Sequence, residues 1–212
     1  MAVYTLFGQG AAGTLVTGDS ADYTFGMQFT LSQSAALTGI WFYSAPTATA
    51  LPAACCIYQI TGTNTGSQVS GTVNNSPTWS AAAGSGWVKV TYPGTTTLTA
   101  ATNYRVSVYY GGGGPNWYSV TGAYWASSGQ SSGIISAPAA GSADGTNQDA
   151  FANPSPAGLN YPTSSFNNSN YWIDVEVTTS GPAPAPQVAV PEAGGIGGWV
   201  MLPVRGRVGS AV

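Results

Sequence analysis

Seven acidic side chains, four basic ones and no histidine are spread over 212 positions, so the chemistry open to this chain is narrow. Without histidine there is no Ser-His-Asp or Cys-His nucleophile, no His-ligated zinc and no imidazole general base. A glycosidase needs two carboxyl groups facing each other across a cleft. Asp174 and Glu176 stand two residues apart in a run where Tyr171, Ile173, Val175 and Val177 alternate with them. Period-two alternation puts both carboxylates on the same side of one strand. Side by side they suit a solvated strand face or a loop tether, and they cannot flank a substrate. No catalytic residue is assigned and no enzymatic activity is expected.

Two other groups of residues could hold a ligand. Asp144, Asn147 and Asp149 lie in Asp144-Gly145-Thr146-Asn147-Gln148-Asp149, whose oxygens are spaced as in some calcium loops. The stretch lacks the D-x-D-x-D-G order and the closing bidentate Glu of an EF-hand. Asx-turn chemistry explains it equally well, so Ca²⁺ is the one cofactor considered and none is assigned. Asn116, Trp117, Tyr118, Tyr124 and Trp125 sit among glycines and serines. Exposed on a sheet edge, the rings could stack on sugars, with Asn116 and Ser119 hydrogen-bonding to hydroxyls. Alternatively the rings fold back as a small satellite core under a long loop.

Cys55 and Cys56 are adjacent, which suits neither a disulfide framework nor a C-x-x-C metal site. Neighbours on a strand point to opposite faces, so one thiol is expected inward and one outward, both reduced and structural.

What positions these residues is all β. Tyr23, Phe25, Met27, Phe29 and Leu31 alternate with Thr24, Gly26, Gln28 and Thr30. Val88, Val90 and Tyr92 alternate with Trp87, Lys89 and Thr91, and Tyr104, Val106, Val108 and Tyr110 with Arg105, Ser107 and Tyr109. Ala54 to Ile60 reads as a further strand. Ala36 to Tyr43 is nearly all apolar, as for a central strand covered on both faces. Many short half-buried strands must pair into two packed sheets, predicting a two-sheet antiparallel β-sandwich of jelly-roll or Ig-like type over residues 1–180. The 111–169 region is too long for a plain loop and should carry short strands or a function.

Composition supports a folded domain. Hydrophobic residues make up 43 %, with 7 Trp, 12 Tyr and 6 Phe, while only 5 % are charged. Only Lys89 and Arg105 are basic in the first 180 residues, which excludes nucleic acid as a partner. No apolar run is long enough for a membrane span, so no insertion is expected. No basic and apolar leader precedes Tyr4-Thr5-Leu6-Phe7, from which assembly inside the host cytoplasm is expected. After Val177 the composition changes. Residues 181–186, Gly-Pro-Ala-Pro-Ala-Pro, read as a stiff polyproline-type linker. Residues 187–212 are too short and glycine-laden to fold alone. They are expected to be an extended attachment segment in which Trp199, Met201 and Leu202 dock on a partner while Arg205 and Arg207 pair with its acidic groups.

The strands also spell a pattern. Tyr4-Thr5-Leu6-Phe7-Gly8 opens it, followed by Phe25-Gly26-Met27-Gln28-Phe29 and Leu37-Thr38-Gly39-Ile40-Trp41-Phe42-Tyr43. Gly86-Trp87-Val88-Lys89-Val90 and Thr102-Asn103-Tyr104-Arg105-Val106 come next. Tyr161-Pro162-Thr163-Ser164-Ser165-Phe166 and Asn170-Tyr171-Trp172-Ile173-Asp174-Val175 close it. Over about residues 4–178 this resembles a bacterial β-sandwich family catalogued only as a domain of unknown function, whose members recur beside adhesive modules. The resemblance implies a binding or spacer module. Combined with the missing leader and the unmatched tail, it leads to the expectation of a structural protein on the surface of a bacteriophage virion. The expected role is capsid decoration, with major capsid or other virion proteins as partners and a homo-oligomer, a trimer by expectation, as the assembled form. The alternative is a carbohydrate-binding, adhesive module of a secreted or cell-surface bacterial protein, with surface glycans as ligands.

Overall fold

The computed structural model describes residues 1–10, 12–13, 15–19, 21–111, 116–141, 148–152 and 157–180. Among these there is no helix. In chain order the strands are β1 (Ala2–Tyr4), β2 (Leu15–Asp19), β3 (Tyr23–Leu31), β4 (Ala35–Ser44) and β5 (Ala54–Gly62). There follow β6 (Thr65–Gln68), β7 (Gly86–Thr91), β8 (Thr97–Leu98), β9 (Tyr104–Tyr110) and β10 (Asn116–Ser119). The last four are β11 (Gln130–Ser132), β12 (Ile135–Ala137), β13 (Asp149–Ala152) and β14 (Ile173–Thr179). Among the described residues the 111–169 region thus holds four short strands.

Two antiparallel sheets pack face to face. The first runs β1-β14-β4-β10-β2, with β7 and β8 also on β4. The second runs β11-β12-β3-β9-β5-β6, with β13 also on β3. Alternation decides what lies between them. Phe25, Met27, Phe29 and Leu31 of β3 meet Tyr104, Val106, Val108 and Tyr110 of β9 and the inward residues Ile173, Val175 and Val177 of β14. Each such fully buried large apolar side chain contributes about 1.5–3 kcal/mol relative to exposure.

Strand β4 departs from the expectation of two covered faces. Ala35, Leu37, Ile40 and Phe42 are buried, whereas Trp41 and Tyr43 on the other side are only half-buried. The inward parity shifts between Leu37 and Ile40 because Glu176 pairs with Gly39 but Val177 with Leu37, leaving Thr38 as an extra residue. A bulge of this kind resets which face looks inward. The apolar run therefore marks a parity change as well as burial.

The outer face of the second sheet is covered instead. Thr24, Gln28, Arg105 and Ser107 are buried although they point away from the core. Chain from 157 onward crosses them: Thr24 Oγ1 donates to the Gly158 carbonyl at 3.2 Å, and the Arg105 guanidinium lies 5.3 Å from the Tyr161 ring centre. Arg105 Nη1 also donates to the Gly26 carbonyl at 3.4 Å. Glycine is required at 26, since a Cβ there would stand 2.6 Å from Ser107 Oγ and 2.9 Å from Arg105 Cδ.

Cys55 and Cys56 face opposite ways, both as free thiols. Cys55 lies in the core. The Tyr92 hydroxyl donates to the Thr72 carbonyl at 2.7 Å, which leaves the Cys55 thiol, 3.4 Å away, to donate to it. The outward thiol of Cys56 is buried as well.

Candidate functional site

At one end of the sandwich the two sheets part around a cavity of about 340 Å³, within the range of small-ligand sites. Tyr23 and Phe25 come from the first turn of alternation in β3, so both look inward. Phe151 joins them because β13 pairs with β3 in the register Phe151↔Phe25. The opposite wall is Tyr118 of β10, Val120 just after it, and Tyr171 just before β14. Phe166 stands at the rim, 66 % exposed.

The rings form a connected box. Tyr171 stacks on Phe25 with centroids 4.5 Å apart, and Tyr118 lies 4.6 Å from Phe25. Tyr23 meets Phe151 at 82° and Tyr118 at 69°, and Tyr118 meets Tyr171 at 61°. Among the described residues no charged side chain lines the cavity. Such a lining offers ring faces and a few phenolic oxygens to a bound group.

The rim is held by backbone. Phe151 N–H donates to the Ser164 carbonyl at 2.7 Å and Ser164 N–H to the Phe151 carbonyl at 2.9 Å, which brings the chain two residues later to the mouth. Asn167 and Asn168 have φ of 51° and 47°, left-handed values that asparagine tolerates better than most residues. Their carbonyls accept from Ala123 N–H and Trp125 N–H, and the Phe166 carbonyl accepts from Ser169 N–H and Oγ. Trp172 is left-handed too, at φ 55°, with its N–H given to Asn170 Oδ1 at 2.8 Å and its indole N–H to Thr121 Oγ1 at 3.1 Å.

The aromatic residues singled out in the sequence divide. Tyr118 lines the cavity. Trp125 is fully buried in the core, and Tyr124 packs with it at 4.7 Å and with Trp172 at 5.4 Å. Phe7 tops this pile, 5.2 Å from Trp172. For Trp125 the expectation of an exposed sugar platform is therefore corrected: it is fully buried in the main core, with half-buried Tyr124 packed against it, so the two rings do not form a separate satellite core. Ser119 is also buried. The side chains of Asn116, Trp117 and Asp149 lie outside the described residues, as do Asp144, Asn147, Trp199, Met201, Leu202, Arg205 and Arg207 in full. Among the described residues no cluster of three potential metal ligands occurs. Tyr23, Phe25, Phe151, Phe166 and Tyr171 were not picked out as site residues. The signal was there for Phe166, an aromatic among Ser and Asn in the closing phrase.

Asp174 and Glu176 do share a face, and neither is solvated. Asp174 is buried beneath the 5–10 segment, with Oδ1 accepting from Leu6 N–H at 3.0 Å and Oδ2 from Phe7 N–H at 2.9 Å. Burial pushes its carboxyl up to about 7, against the pull of the Phe7, Leu6 and Val175 amides. It is a loop tether. Glu176 accepts from Lys89, Trp41 and Thr38.

The chain matches the family described as Domain of unknown function (DUF4082) over residues 10–173. The chain belongs to the DUF4082 family. The DUF4082 stretch contains every residue that lines the cavity and ends at the first residue of β14. It is shorter at both ends than the resemblance suggested, leaving outside it both partners of the Asp174 tether. No curated protein and no solved structure matches the chain.

Proposed function

We propose that this DUF4082 chain is a non-enzymatic binding module displayed on the outside of a particle or cell, and that it takes part of a surface glycan into the aromatic cavity. The observation that carries this reading is the box of six rings, open at one end and, among the described residues, lined without a charged group. An apolar pocket of ring faces with phenolic oxygens at its edge can enclose a less polar part of a glycan, such as a substituent, while the hydroxyl-bearing remainder stays in water. The setting we propose is a bacteriophage virion, with capsid decoration as the role and capsid proteins as partners. The support for that setting is sequence alone: a Pro/Ala spacer at 181–186, then an apolar segment carrying Arg205 and Arg207.

The test of the binding reading is the full chain on an array of bacterial surface glycans, beside Tyr118→Ala with its fold checked by circular dichroism. Binding that is lost in Tyr118→Ala supports the reading. Failure to bind any glycan, or undiminished binding by the variant, overturns it. The setting is tested separately by electron microscopy of particles assembled with labelled full chain.

A further inference from the structure

We infer that the group seated in the aromatic cavity is a methylated ammonium, such as a choline head carried as a substituent on the glycan. This rests on the reading of the cavity as the ligand site and names the chemistry it selects.

The lining decides between ligand classes. A sugar ring carries hydroxyls on most of its carbons, and burying them unpaired costs about 1–3 kcal/mol each. Among the described residues the cavity offers ring faces, three phenolic hydroxyls, one valine and no amide, carboxylate or guanidinium side chain, too few partners for a ring of hydroxyls. A primary ammonium has the same difficulty, because its three N–H donors need acceptors. A quaternary ammonium has no N–H at all. Its charge is spread over methyl groups, which ring faces attract through their quadrupole.

The arrangement fits that requirement. Tyr23–Phe151, Tyr23–Tyr118 and Tyr118–Tyr171 meet at 61–82° with centroids 5.7–6.3 Å apart, so the walls turn corners instead of lying in one plane. A flat strip would suit a sugar face; a box suits a rounded cation. Charge agrees. The chain carries a formal net charge of −3. Neither base of the sandwich lines the cavity, since Lys89 is paired with Glu176 and Arg105 is buried against Tyr161.

Phe166 completes the box. A two-thirds exposed phenylalanine gains little from the fold, yet its carbonyl accepts from Ser169, and the two left-handed asparagines after it are held by Ala123 and Trp125. That geometry presents the ring at the mouth, where it closes over a bound head group.

The experiment is calorimetric titration of the full chain with choline, with its uncharged carbon isostere 3,3-dimethylbutan-1-ol, and with methyl pyranosides. Choline should bind saturably and about ten-fold more tightly than the isostere, the scale of a desolvated cation–π contact. Phe166→Leu keeps an apolar side chain at an exposed position, so the fold is retained, and should weaken choline about two- to five-fold while leaving the isostere unchanged. Equal binding of choline and isostere overturns the inference. Binding of pyranosides alone overturns it too but leaves the glycan reading standing. Binding of no probe, together with a blank glycan array, removes both.

Discussion

Lys89 and Glu176 meet over the backbone of Gly39, with Nζ 3.3 Å from Oε1. They sit on β7 and β14, the strands on either side of β4, in the registers Gly39↔Thr91 and Glu176↔Gly39. A Cβ at position 39 would stand 2.8 Å from Lys89 Cδ and 3.2 Å from Glu176 Cβ, so only glycine leaves the path open. Trp41 Nε1–H donates to Glu176 Oε2 at 3.2 Å, Thr38 Oγ1 to Oε1 at 3.1 Å, and Lys89 Nζ lies 5.2 Å from the Trp41 ring centre. One carboxylate therefore ties three strands together at the bulge that resets β4.

Because Glu176 is more enclosed than a surface ion pair, its coupling to Lys89 should exceed the few tenths of a kcal/mol usual there. A double-mutant cycle of Lys89→Met with Glu176→Gln, read by urea unfolding, should give about 1 kcal/mol. Gly39→Ala should cost more than either single change, since it forces the pair apart. A coupling indistinguishable from zero would show that packing alone holds the three strands.

Asp174 should make stability fall as pH rises. Its folded carboxyl is raised to about 7 from an ordinary 3.8, so between those values the folded state keeps a proton that the unfolded chain has lost. The contribution is fullest below about pH 4, declines through the window and levels off above about pH 7, a change on the order of 4 kcal/mol. Asp174→Asn removes the titration but turns an amide NH₂ toward the Leu6 and Phe7 amides. The variant should be less stable than the wild type at pH 4, by about 1–3 kcal/mol, and the order should reverse by pH 8, where the wild type has lost the contribution of its proton. Unfolding midpoints that run parallel across this range would refute the assignment.

Both cysteines should be inert in the folded protein. Burial pushes the Cys55 thiol up to about 11 and Cys56 higher still, and the thiolate is the reactive form. A thiol reagent at pH 8 should label neither until denaturant is added, when both react. Cys55→Ala should cost about 1–3 kcal/mol from the space it leaves and the donor it takes from Tyr92.

A chain ending at Ser180 should keep the strand-rich circular dichroism of the whole, because the described sandwich is complete by Thr179. If residues 187–212 attach the module to a particle, that shorter chain should fail to decorate particles. Full occupancy without the tail would place the attachment surface on the sandwich.

The alternations at β3, β9 and β14 made the two-sheet architecture legible, because a strand with one buried face writes period two into its residues. The same logic set the opposed thiols and the shared face of Asp174 and Glu176. Which outward faces are covered was not legible. Asp174 lies under the 5–10 segment and Arg105 under the chain near Tyr161, across separations of more than forty residues that no local pattern records. The cavity was hidden for the same reason. Tyr23 and Phe25 read as ordinary core positions, while Tyr124 and Trp125 read equally well as an exposed platform or as rings folded back under a loop. Composition and periodicity determined that this protein is a β-sandwich with no histidine chemistry. Only the packing of distant strands decided which rings close into the core and which are left around an opening, because that depends on where the two sheets part.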